Sequence, residues 1–228
     1  MSIPLCRTEL HRHASFGFSC NRCLSCCRFK KIQLNPYEIA RLADNQGLST
    51  TAFIAGHTTT GGTVLQSKPD GTCIFLDAHG CAVHPDRPLV CRLYPLGRYV
   101  DFLGVETFAQ MELEPECAGI VHQNGAIERY LEEQDAAPFM YAADRYLDLL
   151  WLLLEMLKEQ ASEPAQSETV QAAMRAINDG DDVREGAVSW IDMDRTVADY
   201  CRQCGIPIPE SREETMAMHI KAVRKWAA

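Results

Sequence analysis

No stretch of this 228-residue chain is apolar for long enough to cross a bilayer; the longest candidate, YLDLLWLLLEMLK, is too short and carries Asp148 inside it. It reads as a buried helix, and no membrane role is expected. The start, MSIPLCRTELHRHASFG, puts charges and histidines where a secretory signal needs an apolar core, so the expected location is cytoplasmic. Basic charge is in short supply, with 22 Lys and Arg against 31 Asp and Glu and a formal net charge of -9. That balance argues against general nucleic-acid binding. A glycine-rich strand-to-helix loop suited to a nucleoside is also missing, since TGG at 60–62 is too weak a signal. Neither internal repeats nor low-complexity tracts occur, and hydrophobic residues at 46% with charged residues at 23% fit a folded globular chain.

Cysteine, by contrast, is plentiful, with eleven residues in the chain. A reducing compartment keeps thiols free unless a metal holds them, which argues against a disulfide framework. Nine of the eleven lie in residues 1–117 and two in 118–228. Charge divides at the same place: 11 acids and 11 bases in the first part, 20 acids and 11 bases in the second. The first part carries the thiol chemistry, and the acidic second part is a candidate surface for a protein partner.

The cysteines form a pattern. Cys20, Cys23, Cys26 and Cys27 fall within FSCNRCLSCCRFKK, followed by Cys73, Cys81, Cys91 and Cys117. Two residues between thiols let a tight loop aim both sulfurs at one centre, a spacing shared by zinc knuckles and iron-sulfur loops. Free cysteines are often simply buried small hydrophobes, but eight arranged this way point to metal ligation. Adjacent residues such as Cys26 and Cys27 more easily serve two centres than one small one, and eight thiols match two four-sulfur sites. Cys20, Cys23 and Cys26 with one distant cysteine, and Cys27 with the remaining three, is one division; spacing leaves the pairing open.

Three closely spaced sulfurs can cap one face of a cube, which favours a 4Fe-4S iron-sulfur cluster, with zinc as the alternative. Either centre with four thiolates carries a net charge of about -2, so nearby cations help. Arg22, Arg28, Lys30, Lys31, Arg87, Arg92 and Arg98 lie close to the cysteines in sequence. Arg92, beside Cys91, is the leading candidate to support the bound group from behind its ligands. With eight thiols no histidine is required, and His57 and His79 stay unassigned. Cys201 and Cys204 in DYCRQCGIP lack the strand-turn-helix setting of a redox pair and read as helix packing; Cys6 is isolated.

Local patterns place these residues on elements. LNPYEIARLADNQG reads as a short helix with Asn35 as N-cap, Pro36 in the first turn, Glu38 completing a capping box and Gly47 past the end. A second helix can start at Ser49, followed by a turn at TTTGGT. CIFL and CAVH read as short strands joined by a turn at Asp77 to Gly80, which brings Cys73 near Cys81. Pro85, Pro88 and Pro95 limit any helix around Cys91 to a turn or two. YVDFLGVETFAQM reads as a strand or pair.

From about Ala126 the texture becomes helical, broken at Pro138, then running from Phe139 to Gln160 with further helices at Ser167–Asn178, Ile191–Cys204 and Ser211–Trp226. The stripe Tyr141, Tyr146, Leu149, Leu150, Leu153, Leu154 and Leu157 reads as core. The expected fold class is α+β and helix-rich: a small irregular metal-bound cysteine-cluster domain with short strands over 1–121, then an α-helical region over 122–228 packing on it.

FSCNRCLSCCRFKKIQLNPYEIARLA, DGTCIFLDAHGCAVHPDRPLVCRLYPLGR and ECAGI together resemble the bacterial cysteine-cluster family of CxxCxxCC type, described as zinc- or iron-chelating. The resemblance covers about residues 16–121. It implies that the eight cysteines occupy the family's cysteine positions and that Arg87, Pro88 and Arg92 form its RPxxCR segment. The chain departs from the pattern at Leu24, where the family commonly has glycine, and at His84, where it commonly has tyrosine. Leu24 therefore argues against an unusual backbone turn there, and His84 sits at a packing position rather than a ligand position. The family includes flagellin lysine N-methylase-like proteins, which adds S-adenosylmethionine-dependent protein lysine methyl transfer as an alternative to a redox, sensing or structural metal role.

Overall fold

A computed structural model describes residues 5–59, 61–101, 103–160 and 190–227. In chain order the elements are β1 (Leu5–Leu10), β2 (Ser15–Ser19), α1 (Pro36–Asn45), α2 (Thr50–His57), β3 (Thr58–Thr59), β4 (Val64–Leu65), β5 (Leu76–Asp77), β6 (Gly80–Cys81), α3 (Leu89–Leu93), β7 (Leu96–Val100), β8 (Glu106–Met111), β9 (Ile120–Ala126), α4 (Ile127–Glu133), α5 (Ala137–Gln160), α6 (Met193–Cys204) and α7 (Arg212–Ala227). Single 3-10 turns lie at Ser25–Cys27 and His84–Asp86. The fold is α+β and helix-rich, with short antiparallel sheets.

Two compact units divide the chain discontinuously: Met1–Lys30 with Ser67–Met140, and Lys31–Gln66 with Tyr141–Ala228. This cut differs from a linear one at residue 121. The capped helices at 36–57 group with the C-terminal helices, and the helical turns up to Met140 group with the strands.

In the first unit β8 is the central strand of a three-stranded antiparallel sheet, flanked by β1 and β7. Phe108 stands opposite both Leu10 and Arg98 and is fully buried. β2 and β9 form a separate ribbon in which Gly17 faces His122. A Cβ at residue 17 would stand 2.2 Å from the His122 ring, so a larger residue there requires that ring to move. α4 follows β9 directly and buries Ile127, Tyr130 and Leu131, spaced i, i+3, i+4, against Phe16, Leu93, Leu96 and Phe108. The Tyr130 ring meets Phe16 edge-on at 5.1 Å, and its hydroxyl donates to the Tyr94 carbonyl at 2.6 Å. That bond satisfies the one polar atom of an otherwise apolar contact.

The expected strands CIFL and CAVH shrink to the two-residue pair β5 and β6, with Leu76 opposite Cys81. Cys73 lies outside this ladder and bridges Ser67 instead. The helical break expected at Pro138 falls at residues 134–136, and Pro138 sits in the first turn of α5, where its missing N–H costs nothing. β1, β2 and β9 were not foreseen.

In the second unit the capping box of α1 is complete: Asn35 accepts from the Glu38 N–H at 3.0 Å, and Glu38 accepts from the Asn35 N–H at 2.9 Å. Ser49 caps α2 through the Ala52 N–H at 3.2 Å. α6 begins at Met193 rather than Ile191 because Asp192 caps it, accepting from the Arg195 N–H and from the hydroxyls of Thr50 and Thr51 at 2.5 and 2.6 Å. Arg212 at the start of α7 bonds Asp44 and Asp194. His219 is wholly buried, with Tyr146 at 2.9 Å on Nδ1 and the Trp190 carbonyl at 2.6 Å on Nε2. The α5 stripe is only partly core: Tyr146 and Leu149 are buried, whereas Tyr141 is 59% exposed and Leu150 37%. The expected helix at Ser167–Asn178 lies outside the described residues.

Candidate metal centre

All eight predicted ligands fall in the first unit, although the chain between Lys30 and Ser67 belongs to the second. Backbone and side-chain hydrogen bonds draw the segments together. Asn21 and Ser25 donate to the carbonyls of Ala118 and Glu116 at 2.6 and 2.9 Å, fastening the CxxCxxCC loop to the segment bearing Cys117. The Cys73 N–H donates to the Cys27 carbonyl at 2.9 Å, and the Phe29 N–H to the Gly71 carbonyl at 2.8 Å.

The loop achieves this with an unusual backbone. Arg22, Leu24 and Phe29 all have positive φ, at 51°, 67° and 53°. The expectation that Leu24 excludes such a turn is therefore corrected: leucine occupies the left-handed conformation that glycine adopts more easily. The residue types hid the turn, and surrounding hydrogen bonds hold it.

Three sulfurs share one device. Cys20, Cys23 and Cys117 each accept from a backbone N–H, that of Arg22 at 3.4 Å, Ala118 at 3.3 Å and Gly119 at 3.4 Å. A donor aimed at sulfur favours the thiolate over the thiol. The neighbouring Ser25, together with the Ala118 N–H, brings the Cys23 thiol down to about 7. Cys26 also falls to about 7, chiefly because the Cys27 thiol donates to it. Cys27 is pushed far up, first by that same bond, then by burial and by the facing charges of Cys26, Cys91 and Cys81. Burial raises Cys73, Cys81 and Cys117 as well.

These thiols cannot all ionise beside one another without a compensating cation. An all-sulfur, half-buried donor set with aligned N–H groups fits a thiophilic metal such as zinc or iron. Among the described residues, no three His, Cys, Asp or Glu side chains are already set around a common point. The fold supplies gathered thiols and oriented N–H donors.

The cations distribute unevenly. Lys30 acts on Cys26 and pairs with Glu114; Arg87 acts on Cys81. Lys68, which acts on Cys73, was missed because it lies outside the cysteine motifs. Arg98 is drawn to Glu106 at 2.5 Å. Arg92 shares α3 with Cys91, but its buried guanidinium donates to the carbonyls of Arg87 at 3.0 Å, Gln134 at 2.8 Å and Pro85, and stacks over Phe139 at 3.9 Å. It fixes the turn that carries Cys91. His84 touches Arg87, and burial together with Arg87, Arg22 and Arg92 lowers its basicity. Sequence reasoning also passed over Tyr94, whose hydroxyl accepts from the Glu114 N–H at 2.9 Å and lies beside Cys117. In the second unit Cys201 is buried and Cys204 exposed.

A cysteine-cluster unit of this kind defines a metal-chelating domain. Residues 19–118 match the model of the CxxCxxCC family, described as "Putative zinc- or iron-chelating domain". The match encloses all eight cysteines. No curated protein and no solved structure matches the chain.

Proposed function

We propose that this metal-chelating domain holds an iron-sulfur centre with a redox or sensing role, with Cys20, Cys23, Cys26, Cys27, Cys73, Cys81, Cys91 and Cys117 as the ligand pool. The observation that carries the reading is the set of three sulfurs, Cys20, Cys23 and Cys117, that accept backbone N–H bonds. Such bonds stabilise electron-rich sulfur and tune the potential of iron-sulfur centres. When bound, the group supplies reversible one-electron chemistry.

The chain's own residues do the rest. Lys30, Lys68 and Arg87 offset the thiolate charge, and Arg92 holds the Cys91 turn in place. Cys20 and Cys91, the exposed members of the eight, face solvent and so admit an oxidant or an electron-transfer partner. Anaerobic purification with iron, zinc and sulfide analysis tests this. Iron with stoichiometric acid-labile sulfide, and a visible absorbance that bleaches with dithionite and yields an EPR signal, is the expected result. A colourless protein holding only zinc after anaerobic handling would reject the redox reading and leave a structural metal role.

A further inference from the structure

Cys201 and Cys204 lie in the last turn of α6, within the second unit and apart from the eight cysteines of the first. Their spacing reads as helix packing, and packing accounts for only one of them: Cys201 is 2% exposed, whereas Cys204 is exposed. Three residues apart on an α-helix, their Cα atoms stand about 5 Å from each other. A disulfide spans roughly 4.4–6.8 Å between Cα atoms, and residues at i and i+3 share a helix face. Cys204 is the final residue of α6 and Gly205 follows in the left-handed conformation, so closing a bridge asks only the end of the helix to adjust.

The two sulfurs are placed for different tasks. Cys201 Sγ donates to the Pro207 carbonyl at 3.5 Å, a weak bond to give up. Cys204 Sγ has Lys225 of α7 beside it, with Nζ at 3.9 Å. The same ammonium lies 5.4 Å from the centre of the Tyr200 ring, a second contact that keeps the lysine at this corner. An exposed sulfur beside a cation, one turn from a sheltered thiol, is the arrangement of an attacking and a resolving cysteine.

We propose that Cys201 and Cys204 form a redox-responsive dithiol that a hydroperoxide closes to a disulfide, with Cys204 attacking and Cys201 resolving. The inference does not rest on the metal-chelating reading. Cys204 Sγ, having given up its proton, attacks one oxygen of the hydroperoxide. The O–O bond breaks, an S–O bond forms, and the other oxygen leaves with a proton as an alcohol, or as water when the oxidant is hydrogen peroxide. Cys204 is then a sulfenic acid. Cys201 Sγ attacks that sulfur, the S–S bond forms as the S–O bond breaks, and the departing hydroxide takes the Cys201 proton and leaves as water. Two electrons pass from the two thiols to the O–O bond. Lys225 meets the negative charge of the attacking sulfur. The bridge also takes Cys201 off the Pro207 carbonyl, which frees the connection from α6 to α7 of one anchor.

Trypsin gives a direct readout, because it cuts after Arg195, Arg202 and Arg212 and so separates the two cysteines. The full-length protein as purified is treated with a few equivalents of hydrogen peroxide, quenched in acid, alkylated under denaturing conditions and digested. The expected product is TVADYCR joined to QCGIPIPESR, two hydrogens lighter than the separate peptides together and split by dithiothreitol. In Cys201→Ser, dimedone should label Cys204 as its sulfenic acid. Lys225→Met should slow formation of the joined peptides about fivefold, the worth of one charge at this distance in water.

Peptides that stay separate and fully alkylated in the peroxide-treated wild type overturn the proposal. So does Cys204 joined to Lys225 or to a cysteine of the first unit in place of Cys201. An unchanged rate in Lys225→Met overturns the part given to the lysine.

Discussion

Leu24 spends its backbone in a conformation that costs an L-residue roughly 1–2 kcal/mol. Its side chain is half-buried, so truncation alone gives up packing. Leu24→Ala keeps the strained backbone and loses the contact, whereas Leu24→Gly loses the same contact but removes the strain. Glycine should therefore be more stable than alanine by about 1 kcal/mol, the reverse of the order in a helix or strand. Urea denaturation of the two metal-free variants measures this directly. The pattern of the eight thiols was legible from spacing alone. The N–H donors to their sulfurs were not, because a donor from Ala118 or Gly119 depends on backbone direction and not on residue type.

At the level of elements, the legible features were those whose whole cause is local. The Asn35–Glu38 box and the helix start at Ser49 each arise within four residues, and each stands where the sequence put it. β1 escaped notice because it pairs with β8, about a hundred residues away, and shows no alternation of burial. Asp192 escaped for a related reason, since Thr50 and Thr51 reach it from α2.

The α5–α7 contact through Tyr146 and His219 carries a pH dependence. Burial is the main cause that brings the His219 imidazole down from 6.5 to about 4. Between those values the unfolded chain binds a proton that the folded chain refuses, so this contribution is complete above pH 6.5 and is lost as pH falls towards 4. It amounts to about 3 kcal/mol if the whole shift is expressed. Urea midpoints at pH 7 and pH 4.5 should fall less in His219→Gln than in the wild type. An equal fall in both would place the acid sensitivity elsewhere.

Across the whole molecule, thiol chemistry and acidic helices divide between units that the linear sequence interleaves. Composition does not show that residues 31–66 group apart from the thiol-bearing unit, because that depends on long-range packing. If the metal organises the first unit, its removal should loosen that unit selectively. Hydrogen exchange with and without chelator should then speed up at 20–30, 71–91 and 114–119. Met193–Cys204 and Arg212–Ala227 should keep their protection. Uniform acceleration across both regions would show that the two unfold together.

The excursion from Lys30 to Ser67 also sets an order of events during synthesis. The ribosome releases Cys20, Cys23, Cys26 and Cys27 well before Cys73, Cys81 and Cys91, and Cys117 comes last of the eight. The growing chain thus carries four of the eight thiols through the period in which α1 and α2 are made. An ion captured then has only the N-terminal sulfurs to hold it, and a complete set becomes possible only as the later segments emerge.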